Sequence, residues 1–150
     1  LRVTKWALVG VVTLLLLAFG LRVVPPVLIS IGIGIVWLGG VVGTISLKLN
    51  FMNFVALPIT LGVGADYAAN IWARMRVEGP SRVKTVIAET GSAVALCSLT
   101  TIIGYSSLLL SRNRALRSFG LLADLGEIAC LLAALVALPA LVRVFSRPTE

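Results

Sequence analysis

The chain has 150 residues, of which 59% are hydrophobic and only 13% charged, and its mean hydropathy is +1.06. A domain of this size with a water-facing surface carries roughly a quarter charged residues, so a soluble globular protein is excluded. The net charge of +7 comes from basic residues flanking apolar runs, where they suit lipid headgroups, and not from the aromatic-interleaved basic stripe that nucleic acid needs.

Between the charged clusters lie apolar stretches, and about 20 such residues cross a hydrocarbon core roughly 30 Å thick. Five spans are predicted in one transmembrane domain, so the fold class is all-α: a polytopic membrane helical bundle. The first covers about 6–24, with Arg2 and Lys5 before it and Arg22 near its end. These charges imitate a signal peptide, but no small-residue cleavage site follows. The chain opens at Leu1 and not at methionine, and it reads as a piece of a larger protein. Pro25-Pro26 then interrupts the helix, and the second span, 26–46, ends before Lys48. Its Gly39/Gly43 pair has the i, i+4 spacing that lets membrane helices approach closely.

The third span, 49–74, contains Pro58, Gly62, Gly64 and Asp66. A loop follows around Gly79-Pro80, with Arg74, Arg76, Arg82 and Lys84. The fourth span, 89–111, carries the polar residues Ser98, Thr100, Thr101, Tyr105, Ser106 and Ser107. A basic turn (Arg112, Arg114, Arg117) leads to the fifth, 115–142, whose Ala129, Ala133 and Ala137 form a close-packing row. Cys97 and Cys130 fall inside apolar spans and read as small packing residues. The chain lacks histidine, the commonest metal ligand and proton shuttle, and no cofactor is expected.

Charge leaves the orientation undecided. Arg2, Lys5, Lys48, Arg112, Arg114 and Arg117 fall on one side, six in all, and Arg22, Arg74, Arg76, Arg82, Lys84, Arg143 and Arg147 on the other, seven in all. Such a margin does not set topology.

Asp66 is the leading functional candidate. It precedes Arg74 by eight residues, about 12 Å along a helix, which puts it close to the bilayer midplane. A carboxylate there is costly unless paired, hydrated or protonated, and such residues mark ion and proton pathways. Gly62 and Asn70, at i−4 and i+4, share its face; Pro58 and the glycines free backbone carbonyls nearby, and Tyr67 adds a hydroxyl. Glu127 and Asp124 are secondary candidates, i, i+3 on the last span. Glu127 lies deep, whereas Asp124 is nearer the boundary, within reach of water or Arg117. Thr100 and Thr101 reach the level of Asp66 and either relay a proton or bond their own helix.

The run LNFMNFVALPITLGVGADYAANIWARMR resembles the tenth helix of RND-superfamily transporters. TGSAVALCSLTTIIGYSSLLLS resembles the eleventh, and LRSFGLLADLGEIACLLAALVALPALV the twelfth. The combination of GVGADY, TT-x-x-GY and SFG resembles in particular the hopanoid-biosynthesis-associated, MMPL-like lipid exporters. The resemblance implies helices eight to twelve, the C-terminal half of the transmembrane domain, in a bacterial inner-membrane exporter with protons as coupling ion. It implies a proton relay of Asp66, Tyr67, Asn70 and Thr100 or Thr101. It also implies a cytoplasmic Arg74–Lys84 loop, a lipid substrate of hopanoid kind, surrounding membrane lipids, and an N-terminal half bearing the partner of Asp66. A homo-oligomer is left open. The Asp124/Glu127 pair departs from the family's general pattern. Two other readings are a SecD/SecF-like protein-translocation accessory subunit and a sterol-sensing-like lipid-binding domain without transport. An enzyme is not expected, since neither GxSxG nor a histidine is present.

Overall fold

The computed structural model of the chain describes residues 5–6, 9–10, 12–13, 24–45 and 51–145, and the regular structure there is helical. Four helices among the described residues are long and apolar enough to cross a membrane. We label them α1 (Val24–Ile45), α2 (Phe51–Glu78), α3 (Val83–Leu110) and α4 (Arg114–Val142). They correspond to the second to fifth expected spans. Most of the first expected span, 6–24, lies outside the described residues, as do Arg2, Arg22, Lys48 and Arg147, so the count of five is not matched here.

Helix α1 takes Pro25 and Pro26 into its first turn. Proline's missing N–H costs nothing there, because first-turn amides have no intrahelical acceptor. Helix α2 has 28 residues, about 42 Å at 1.5 Å per residue, longer than the hydrocarbon core. Its last turn therefore carries Arg74, Arg76 and Glu78 beyond the apolar belt. It stops at Gly79, whose φ of 81° suits glycine alone at low cost, and the Gly79 N–H returns to the Met75 carbonyl at 2.9 Å, so the chain leaves the helix there.

The connection between α2 and α3 is much shorter than the sequence suggested. After Gly79 a single 3-10 turn, Pro80–Arg82, leads directly into α3 at Val83. The apolar boundary at 89 marks where the hydrophobic stretch begins, not where the helix does. Ion pairs stitch the polar turn: Arg74 to Glu78 at 2.9 Å, Arg82 to Glu78 at 3.3 Å and Arg74 to Glu89 at 3.6 Å. At the opposite end Asn113 caps α4, its Oδ1 accepting from the Ala115 N–H at 2.9 Å and satisfying one unpaired first-turn donor.

Helix α4 is the hub and packs against all three others. Glycines let it do so. A Cβ on Gly126 would stand 2.6 Å from Thr60 Oγ1, one on Gly120 2.8 Å from the Tyr105 carbonyl oxygen, and one on Gly64 2.8 Å from Cys130 Sγ. On the α1 side, Gly34 lies against the Cys130 backbone and the Ala133 methyl, so part of the expected alanine row does pack closely. Gly39 and Gly43 do not: open space surrounds both. Their spacing is right, but both are exposed, and it is Leu38 and Val42 that pack with Leu122 and Ala129 of α4. Helices α1 and α3 keep large apolar residues outward, among them Val36, Leu96 and Ile103, as helices solvated by lipid do.

Two π-helical turns, Ile87–Gly91 in α3 and Ala133–Ala137 in α4, interrupt the regular spans. They meet at one point, where a Cβ on Gly91 would come within 2.9 Å of Leu135 Cδ2.

Candidate functional site

The 100° turn per residue of an α-helix sends neighbouring side chains to different faces, and this separates Asp66 from Tyr67. Asp66 is exposed on the outside of the four-helix bundle. Its Oδ1 accepts from Asn70 Nδ2 at 3.0 Å, and the same amide also donates to the Asp66 carbonyl at 3.0 Å. Gly62, on the same face, is bordered by open space. The expected Gly62, Asp66, Asn70 face is thus a real surface, and it points away from α4.

Tyr67 turns inward and is 5% exposed. Its hydroxyl donates a hydrogen bond to Glu127 Oε1. Glu127 is itself only 2% exposed and sits near the middle of α4. This pairing joins the leading candidate helix to what the sequence ranked as a secondary candidate. Gly126 next to Glu127 packs on Thr60, so the absence of a side chain there brings the two helices close enough for phenol and carboxyl to touch.

Helix α3 completes the cluster. Ser98 and Thr101 lie beside the Tyr67 phenol; Ser98 is fully buried, and its Oγ has no hydrogen-bond partner among the described residues. Thr101 donates to the Cys97 carbonyl at 3.0 Å, and Thr100, which is exposed, donates to the same oxygen at 2.7 Å. Both threonines therefore make the ordinary own-helix bond. Thr101 faces Tyr67, whereas Thr100 faces outward.

Asp124 lies one turn before Glu127 on α4 and is buried, at 7% exposure. Ser106 Oγ donates to its Oδ2 at 2.9 Å, while Oδ1 has no partner among the described residues. Proximity to Arg117 along the sequence had suggested an ion pair or water contact; the helix instead turns Asp124 onto α3. Nearer the same end, Asn53 Nδ2 donates to Ser118 Oγ at 3.0 Å, linking α2 to α4. Sequence reading passed over this pair, and its only signal was a lone amide inside an apolar run. Tyr105 packs edge-on against Phe119, with ring centroids 6.1 Å apart, and its phenol lies within electrostatic reach of both Glu127 and Asp124.

The described bundle thus has two polar regions. One is internal, built on Tyr67, Glu127, Ser98, Ser106 and Asp124. The other is the external Asp66–Asn70 face. Both lie at depths where ionisable groups are expensive, and such groups by default mark pathways for ions or protons.

Comparison with known proteins gives the frame for this arrangement. The chain is 28% identical over 152 residues to the membrane protein MJ1562 of Methanocaldococcus jannaschii, a match covering 96% of this chain and 39% of that protein. It is 27% identical over 157 residues to the hopanoid transporter HpnN of Burkholderia multivorans, covering 96% of this chain and 18% of the relative. The chain therefore spans well under half the length of either relative. No solved structure matches it. A sequence model of the MMPL family matches residues 4–149, nearly the whole of this multi-pass membrane chain, and the chain belongs to that family.

Proposed function

We propose that this chain is the C-terminal half of the transmembrane domain of an RND-type lipid exporter, driven by the proton-motive force across a bacterial inner membrane. On this reading the bundle has five helices, equivalent to the eighth to twelfth of the full transporter, and residues 6–24 supply the first. Similarity to a hopanoid transporter supports a lipid cargo of hopanoid kind. The observation that carries the coupling is the split between Asp66 and Tyr67, one facing out of the bundle and the other bonded within it.

An outward carboxyl at mid-membrane depth needs a partner, water or a proton. Helices from an N-terminal half, packed on the Asp66–Asn70 face, would provide the partner. Protonation neutralises Asp66 and permits a dry, close interface there. Deprotonation favours a hydrated or paired one, and the two halves rock between these states. Asn70 orients the Asp66 carboxyl through its 3.0 Å bond, and Tyr67 couples any rotation of α2 to Glu127 on α4. Thr101 lies on the same relay through Tyr67, with Thr100 on the outer surface beside it. The substrate is handled by parts of the protein beyond this chain, and a homo-oligomer is compatible with the scheme.

The test is Asp66→Asn in the full-length protein, reconstituted in proteoliposomes with an imposed pH gradient. Loss of both proton flux and gradient-driven lipid release, with the protein still monodisperse, is the expected result. Export that survives the substitution would sink the coupling scheme.

A further inference from the structure

The end of the bundle at the α3–α4 turn is basic and uncompensated. Arg112, Arg114 and Arg117 are exposed there, and no ion pair among the described residues uses them. At the opposite end, by contrast, Arg74 and Arg82 are matched by Glu78 and Glu89. Asp124, the acid nearest the turn along α4, is buried and bonded to Ser106. Unmatched arginines at a membrane surface attract anionic headgroups.

Beside this turn lies an apolar cavity. Helices α1, α2 and α4 border about 170 Å³, lined by Leu38, Gly39, Val42, Phe54, Leu57 and Leu122. Nothing lies within 4 Å of a Cβ added at Gly39, and Phe54 on the cavity wall is half exposed, so the cavity opens toward lipid. An apolar cavity of this size takes a benzene molecule, roughly six carbons of an acyl chain. Val12 does not fill it, since it packs on the other apolar cluster, with Val27 and Met75.

One side of α4 joins the basic turn to the cavity. Arg114, Ser118 and Leu122 follow along it at i, i+4 and i+8. Between cation and cavity, Asn53, which also lines the cavity, donates to Ser118 Oγ at 3.0 Å. Leu122 lies about 12 Å deeper than Arg114. A headgroup layer is about 5–8 Å thick on each side of the core, so an arginine among headgroups puts the cavity beside the upper part of the acyl chains. From the surface inward the order is cation, polar neck and apolar cavity, which is the order of phosphate, ester and chain in a phospholipid.

We propose that this end of the bundle binds an anionic phospholipid, with one acyl chain in the α1–α2–α4 cavity and the phosphate at Arg114, flanked by Arg112 and Arg117. Lipid tails are as apolar as the cavity walls, so burial alone does not choose one lipid over another; headgroup charge does. The site needs only a chain that spans the bilayer and stands independently of proton coupling.

The experiment is photo-crosslinking of the full-length protein in phosphatidylcholine nanodiscs. These are doped with phosphatidylglycerol or phosphatidylcholine bearing the same diazirine on one acyl chain, and peptide mass spectrometry locates the labelled residues. Phosphatidylglycerol should label the cavity walls about fivefold or more over phosphatidylcholine at low salt, and the preference should fall as salt rises. Arg114→Gln combined with Arg117→Gln should bring the ratio close to one, while Arg76→Gln, at the other end of the bundle, leaves it unchanged. Gly39→Leu, which fills the cavity, should cut wall labelling by both lipids. Should that variant fail to fold, the wild-type ratio and the exposed arginine pair decide. Equal labelling by the two lipids in wild type overturns the proposal, because the headgroup then plays no part. Walls that neither lipid labels overturn it as well, because a protein segment then covers the cavity.

Discussion

Replacing Tyr67 with phenylalanine removes one oxygen and almost no volume, so its effect isolates the bond to Glu127. The acceptor it abandons is 2% exposed, too deep for bulk water to replace the hydroxyl. A buried group left without its partner costs about 1–3 kcal/mol, more where charge is involved. Glu127→Leu strands the other half of the pair, but the Tyr67 hydroxyl then has Ser98 and Thr101 beside it, so the orphan costs about 1 kcal/mol. In the double variant neither orphan exists. It should therefore be more stable than the two single effects sum to, with a coupling of about 1–2 kcal/mol. Equilibrium unfolding in mixed micelles, followed by circular dichroism across the four proteins, measures this cycle. Additivity within about 0.5 kcal/mol would show that the two side chains do not interact and that the inner polar cluster is not built on this bond.

Four further outcomes follow from the packing and the helix ends. Gly126→Ala drives a methyl to 2.6 Å from Thr60 Oγ1, and because Thr60 is β-branched and buried it yields little; about 1–3 kcal/mol of stability should be lost in the same unfolding assay. Gly104→Ala, where nothing lies within 4 Å of an added Cβ, should instead gain up to about 1 kcal/mol from helix propensity. Asn113→Ala removes the cap on α4 and should cost about 1 kcal/mol, with hydrogen exchange at the Ala115 amide rising. Glu78→Gln breaks the exposed ion pairs to Arg74 and Arg82 yet should cost less than about 1 kcal/mol, a loss that shrinks further as salt is raised.

Much of the architecture was legible in one dimension. Stretches of apolar residues between charges place the helices, because a bilayer admits only segments whose backbone bonds close within themselves. The boundaries were less legible. Glu78, Arg82 and Lys84 look like loop, yet the helices run through most of that region. Helix propensity and i, i+4 pairing do not stop where hydrophobicity does. Glycine spacing identified which residues allow close approach but not which ones use it: Gly39 and Gly43 stand in the open, while Gly64, Gly120 and Gly126, at no special spacing, carry the contacts.

The candidate site divides in the same way. By itself the sequence determined that Asp66, Glu127 and Asp124 lie within membrane-spanning helices, since depth follows from a count of residues at 1.5 Å each. It also determined that Gly62, Asp66 and Asn70 share a face, since the helical period is local. Only the tertiary structure decided that Asp66 looks out of this bundle while Tyr67 looks in, that Glu127 is the acceptor for Tyr67, and that Asp124 turns to Ser106 and not to Arg117. Those facts depend on how α4 is rotated and shifted against α2 and α3. That rotation is set by contacts such as Gly126 on Thr60 and Gly64 on Cys130, between residues more than 60 positions apart, and the periodicity of a single helix carries no information about it.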